Sequence, residues 1–172
     1  PSAQNNLGHM YRGGKGVPQD DKTAVKWYRL AAEQGDAFGQ NALGNMYDTG
    51  RGVPKDDKES AKWRTLAAEQ GNSQSQYNLG VMYENGKGVP QDYKTAVKWY
   101  RLAAEQGDAD AQNNLGAMYT NGTGVLQDYV LAHMWFNIAA SQGDKTATEN
   151  RDVVAKKMTP SDISKAQDLA RQ

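Results

Sequence analysis

The sequence predicts an all-α fold, a right-handed α/α superhelix (solenoid) of helix-turn-helix units, and three observations predict it. The chain repeats itself every 36 residues, so that Leu7-Gly8, Leu43-Gly44, Leu79-Gly80 and Leu115-Gly116 superpose, as do Trp27, Trp63, Trp99 and Trp135. Each period holds two stretches with apolar residues at helical spacing, divided by a glycine loop. Neither stretch can bury its apolar surface within one hairpin, so the units must stack on their neighbours.

The first helix of a unit, helix A, is expected over about Ala37 to Asp48, where Leu43 and Tyr47 form an i, i+4 pair on one face. Asp36, Asn72 and Asp108 precede the A helices and can accept from their free N–H groups. Gly35, Gly71, Gly107 and Gly143 stand just before them, as left-handed stops for the preceding helix. The loop Gly50-Arg51-Gly52-Val53-Pro54-Lys55-Asp56 supplies turn glycines, a helix-blocking proline and an aspartate to cap helix B, expected over 57 to 70. On helix B, Ala24, Val25, Trp27, Tyr28, Leu30, Ala31 and Ala32 cover a broad apolar face, and Lys22, Lys26, Arg29 and Glu33 line the remaining, solvent side.

These signals divide the chain into a single solenoid of repeats 1–36, 37–72, 73–108 and 109–144, with capping helices in 145–172. The first repeat begins at Pro1-Ser2-Ala3-Gln4, without an initiator Met or the residue that caps helix A, so any targeting signal would lie outside the given sequence. Residues 15–36 and 87–108 differ only at Asp21 against Tyr93, which reads as a recent duplication. The fourth unit departs from the pattern: its helix B carries Val130, Met134, Asn137 and Ser141 where the first carries Lys22, Lys26, Arg29 and Glu33. The expected cover is the C-terminal segment, where Thr159-Pro160-Ser161-Asp162 reads as a helix start ahead of Ile163, Ala166, Leu169 and Ala170.

Composition narrows the function. Cysteine is absent, which removes disulfides, thiol nucleophiles and Cys-rich zinc sites. Twenty basic and twenty acidic residues cancel, against the basic face a nucleic-acid binder needs, so no nucleic-acid partner is expected. No apolar run approaches the roughly 20 residues that span a bilayer, so no membrane insertion is expected. His9 and His133 stand alone in different repeats and form neither a metal constellation nor a nucleophile-base pair. Gly13-Gly14-Lys15-Gly16 lacks a phosphate-loop pattern and reads as turn chemistry, and Asp20-Asp21 and Asp56-Asp57 read as acids placed at helix starts. No catalytic residue, metal ligand or cofactor is assigned.

The unit Leu-Gly-x-Met-Tyr-x-x-Gly-x-Gly-Val-Pro-x-Asp, followed by Ala-x-x-Trp-Tyr-x-x-Ala-Ala-Glu-Gln-Gly-Asp, resembles the Sel-1-like repeat family, a tetratricopeptide-like solenoid, over residues 1 to about 145. The fourth unit departs from it, with Leu126 for the proline and Phe136 for the tyrosine. The resemblance implies a superhelical adaptor that assembles protein complexes, of the bacterial type, with the cell envelope or periplasm favoured over the cytoplasm. It also raises a peptidoglycan- or β-lactam-related activity as an alternative, but no Ser-x-x-Lys or Lys-Thr-Gly motif is present. A structural spacer within a larger protein is the other alternative.

If the A helices line a concave face, the positions left over from packing point to a protein or peptide ligand. These are Ser2, Asn5, His9 and Arg12 in the first unit, Phe38, Asn41, Asn45 and Asp48 in the second, Gln74, Tyr77, Val81 and Glu84 in the third, and Asp110, Asn113, Ala117 and Thr120 in the fourth. Tyr77 and Val81 are an i, i+4 apolar pair, and the asparagines carry amides suited to an extended peptide backbone.

Overall fold

The computed structural model describes residues 2–171, so Pro1 and Gln172, which bound the first expected repeat and the expected capping segment, lie outside the described residues. Among those residues the chain forms ten α-helices and no strand. They are α1 (Ser2–Gly13), α2 (Asp21–Glu33), α3 (Ala37–Thr49), α4 (Asp57–Glu69), α5 (Ser73–Asn85), α6 (Tyr93–Glu105), α7 (Ala109–Asn121), α8 (Tyr129–Ser141), α9 (Lys145–Ala155) and α10 (Pro160–Leu169). Odd helices up to α7 are A helices and even ones up to α8 are B helices. Two compact units result, Pro1–Gln91 with α1 to α5 and Asp92–Gln172 with α6 to α10.

Local chemistry starts and stops each helix where the sequence places the signals. Asp20 and Asp56 lie in extended backbone and accept from the second and third N–H groups of α2 and α4. Asp36 accepts from the second N–H of α3, and Asn72 and Asp108 accept from the third N–H of α5 and α7. Each of those A helices ends on a left-handed glycine, Gly50, Gly86 or Gly122. In α10, Thr159 accepts from the Asp162 N–H and Pro160 takes the first turn, where a missing N–H costs nothing.

In the first unit the core gathers Ala24, Val25, Tyr28 and Ala32 of α2 against Ala42, Leu43 and Met46 of α3 and Trp63 of α4. In the first, second and fourth repeats the glycine after the A-helix leucine is a platform for a side chain from helix B. A Cβ on Gly8 would sit 2.5 Å from the Tyr28 ring, and one on Gly116 would sit 2.7 Å from the Phe136 ring. At Gly44 the overlying group is the Arg64 side chain, 2.9 Å away, because the second repeat carries arginine where the others carry an aromatic. Burial of a charge demands partners, and Arg64 finds Asp48 at 3.1 Å.

A second close approach joins consecutive repeats. Gly52 has a positive φ of 70°, and a Cβ there would fall 2.3 Å from the Asp21 carbonyl oxygen at the start of α2. Beside it, Arg51 forks onto the Asp21 carboxylate at 3.0 and 2.9 Å. One repeat later, Lys87 approaches Asp57 at 3.7 Å. Both acids of each pair stand at a helix start, as expected, and the second of each takes a further partner. Asp20 and Asp56 cap, whereas Asp21 and Asp57 receive the loop cation of the following repeat. The single difference between residues 15–36 and 87–108 falls at this contact: Asp21 meets Arg51, while Tyr93 underlies the loop carrying Thr123 and Gly124. The expectation for Arg29 is corrected, since its guanidinium donates to the Tyr47 hydroxyl at 2.6 Å and does not simply line the solvent side.

In the second unit α9 and α10 lie against α8. Val130, Met134 and Asn137 are half-buried, Ala166 of α10 is fully buried, and Arg151 of α9 donates to Asn137 at 3.4 Å. The apolar outer face of α8 is covered by the C-terminal helices.

Candidate binding groove

Three A helices of the first unit, α1, α3 and α5, bound a trough of about 500 Å³. Its lining comes from His9 and Arg12 on α1, Phe38, Asn41, Ala42 and Asn45 on α3, and Gln74 and Asn78 on α5. The A-helix leucines and glycines face helix B, which leaves the residues one or two positions away on the helix pointing to this surface. Six residues nominated from sequence, His9, Arg12, Phe38, Asn41, Asn45 and Gln74, come together here. On α5 the lining residues are Gln74 and Asn78, while Tyr77, Val81 and Glu84 are half-buried and do not line the trough.

The trough is polar with one apolar anchor. Phe38 is 67% exposed, the largest exposure of any aromatic on the described surface. Asn41 accepts from the Ser75 hydroxyl at 2.9 Å through Oδ1, which leaves its NH₂ group unspent. His9 Nδ1 lies 3.1 Å from the Tyr28 hydroxyl, with the two rings packed edge to face at 5.3 Å. Burial, and then the nearby Arg12 charge, hold the His9 pKa below its ordinary value, so this imidazole is neutral at pH 7. His9 is thus half committed to packing and not a plain surface histidine.

Asp48 has a different role from its neighbours. Its carboxylate bridges Arg64 at 3.1 Å and Lys87 on the following loop. Burial pushes its pKa up, but the Lys87 hydrogen bond and the Arg64 and Lys87 charges outweigh that and hold the carboxyl below its usual range. Asp48 is therefore occupied within the repeat stack. Arg64, the residue that recruits it, was legible as the odd member of the series Tyr28, Arg64, Tyr100, Phe136.

In the second unit one of the equivalent positions is taken. Asn113 accepts from Asn150 of α9 at 3.0 Å, while Ala117 and Thr120 line a pocket of about 190 Å³ with residues such as Phe136 and Val153. Among the described residues no group of three His, Cys, Asp or Glu is placed to hold a metal ion, and no helix is long and apolar enough to cross a membrane.

Capped helical hairpins at constant spacing, packed through paired glycine contacts, define an α-helical repeat protein with a solenoid-type fold. The Sel1 repeat model matches residues 1–36, 37–72, 73–108 and 109–144, and the chain belongs to the Sel1 repeat family. It is similar to a Sel1 repeat protein from Oxalobacter formigenes, at 39% identity and a TM-score of 0.82 over 86% of this chain and 60% of that one. It is also similar to c5321, a protective antigen of uropathogenic Escherichia coli with an SLR fold, at 34% identity and a TM-score of 0.58 over 99% of this chain and 44% of that one. Helicobacter pylori cysteine rich protein B matches at 28% identity and a TM-score of 0.60, over 80% of this chain and 98% of its own. The chain thus spans less than two thirds of the length of the first two. No curated protein matches it. Sel1 repeat proteins are generally protein-interaction scaffolds built on a non-enzymatic repeat fold.

Proposed function

We propose that this chain is a protein-interaction scaffold, not an enzyme, and that an extended segment of a partner protein lies in the trough between α1, α3 and α5. The observation that carries this is Phe38, an aromatic left largely in water at the edge of a polar trough. An exposed aromatic beside unspent amides is the arrangement that anchors one side chain and hydrogen-bonds an extended backbone. A catalytic reading has no matching support: among the described residues neither histidine bonds a hydroxyl nucleophile or a carboxylate, since His9 meets a phenol and His133 is enclosed in α8. The balanced charge favours a protein over a nucleic-acid partner.

Peptides selected on the chain from a displayed random library, then measured by fluorescence anisotropy, test the proposal. Phe38→Ala and Asn45→Ala are each expected to weaken the selected peptides by about tenfold, which corresponds to about 1.4 kcal/mol, with the thermal midpoint unchanged. Unaltered affinity in both variants sinks the groove.

A further inference from the structure

The trough is one-sided in its charge: it holds a cation and no acid. Arg12 lines it with a guanidinium that has no ion-pair or hydrogen-bond partner among the described residues. No acidic residue lines the trough, and Asp48, the acid on the same helix as Asn41 and Asn45, is taken by Arg64 and Lys87. Asn41 has already used its oxygen on Ser75 and retains an NH₂ group among the described contacts, while Asn45, Gln74 and Asn78 supply amides that both donate and accept. A cation with no partner in a trough without acids is matched by an anionic group, and a guanidinium fork fits the two oxygens of a carboxylate.

We propose that the trough selects an acidic peptide segment, with one carboxylate of the ligand seated on Arg12 and an apolar side chain against Phe38. This rests on the binding reading given above and adds its charge preference. The carboxylate is supplied either by an Asp or Glu side chain or by a free C-terminus, which present the same chemistry to Arg12.

The test uses the whole chain and a positional-scanning array of fluorescein-labelled decapeptides, each position fixed in turn as Asp, Glu, Asn or Gln, in free-acid and C-terminally amidated forms. Either at one side-chain position or at the C-terminus, the acid is expected to bind about tenfold tighter than its amide, with the advantage shrinking as salt is raised. A loss on amidation with no preference at any side-chain position assigns the carboxylate to the C-terminus, and a side-chain preference that survives amidation assigns it to a side chain. Arg12→Met should erase the preference while leaving residual binding, and Arg12→Lys should keep part of it. Equal binding of acids and amides at every position together with no loss on amidation, or a preference that survives Arg12→Met, overturns the proposal. If Phe38→Ala still weakens the peptides in that case, the groove stands and only its acidity falls. If no decapeptide binds, both readings fall.

Discussion

The two compact units are built from nearly the same repeat, yet one keeps its A-helix surface open and the other spends part of it on α9. In Pro1–Gln91, helices α1, α3 and α5 leave the Arg12, Phe38 and Asn45 side chains without polar partners among the described residues, along a trough of about 500 Å³. In Asp92–Gln172, α9 supplies Asn150 to Asn113 and, with α10, covers α8. The repeat therefore encodes a surface of polar A-helix positions that stays open or is covered according to what is laid on it. The buried B-helix position draws the same contrast: a Phe136 ring on Gly116 in the second unit, and an arginine on Gly44 in the first that ties Asp48 and Lys87 into a network.

The largest effect should be common to both units, because the glycine contact at the start of helix B is shared. A Cβ would meet a carbonyl oxygen at 2.3 Å on Gly52 and 2.5 Å on Gly124, and both residues have positive φ. Strain and overpacking together should make Gly52→Ala and Gly124→Ala each cost about 4 kcal/mol. Gly71→Ala and Gly107→Ala, at positive φ but facing open space, should cost only about 1 kcal/mol. Urea unfolding of the four variants checks this, and equal costs would show that the close approach is not needed for stacking.

A smaller effect should separate the units. Asp48→Ala leaves the buried Arg64 charge without its carboxylate and should cost about 3 kcal/mol. Hydrogen exchange should place the loss in α3, α4 and α5 and leave α8 to α10 unchanged. The double variant Asp48→Ala, Arg64→Tyr, which restores the aromatic of the other repeats, should recover most of it. Failure of that rescue would mean that the network, and not the stranded charge, matters.

The smallest effect concerns the second unit and pH. His133 is buried with Nδ1 unpartnered, and burial first, then the Arg151 charge against an opposing Asp152, hold its pKa below the ordinary 6.5. The folded state prefers the neutral ring, so this stabilisation is complete above about pH 6.5 and is lost as pH falls through and below that value. Protection of α8 to α10 should weaken on acidification. His133→Val, which installs the residue of repeats one and three, should flatten that slope and add about 1 kcal/mol at neutral pH. An unchanged slope would remove His133 from the account.

Much of the fold was readable one residue at a time. Asp36, Asp56 and Thr159 cap, and Gly35 and Gly50 turn left-handed, because these preferences depend on the few bonds around each residue. The site was only partly readable. Phe38, Asn41, Asn45 and Gln74 line the trough and belong to the row left over after packing, yet Asn78, outside that row, lines it too, and Tyr77 and Val81 do not. Small rotations between stacked helices choose which neighbour faces the trough, and no spacing rule carries them. A row of Gln40, Gln76 and Gln112 went unread although it repeats every 36 residues. Each donates to a B-helix carbonyl, of Ala32, Ala68 and Ala104, at 3.0 to 3.2 Å.

Helix content, repeat length and the place of every hairpin follow from sequence alone, since capping, left-handed glycines and apolar spacing act over a turn or two of chain. Which polar side chains stay open is a property of the stack. Asp48, Arg12 and Asn113 sit at comparable surface positions on A helices, and they differ because Arg64 and Lys87 reach the first, Asn150 reaches the last, and nothing among the described residues reaches Arg12. Those partners lie 16 to 39 residues away in sequence, and only folding brings them within hydrogen-bond range.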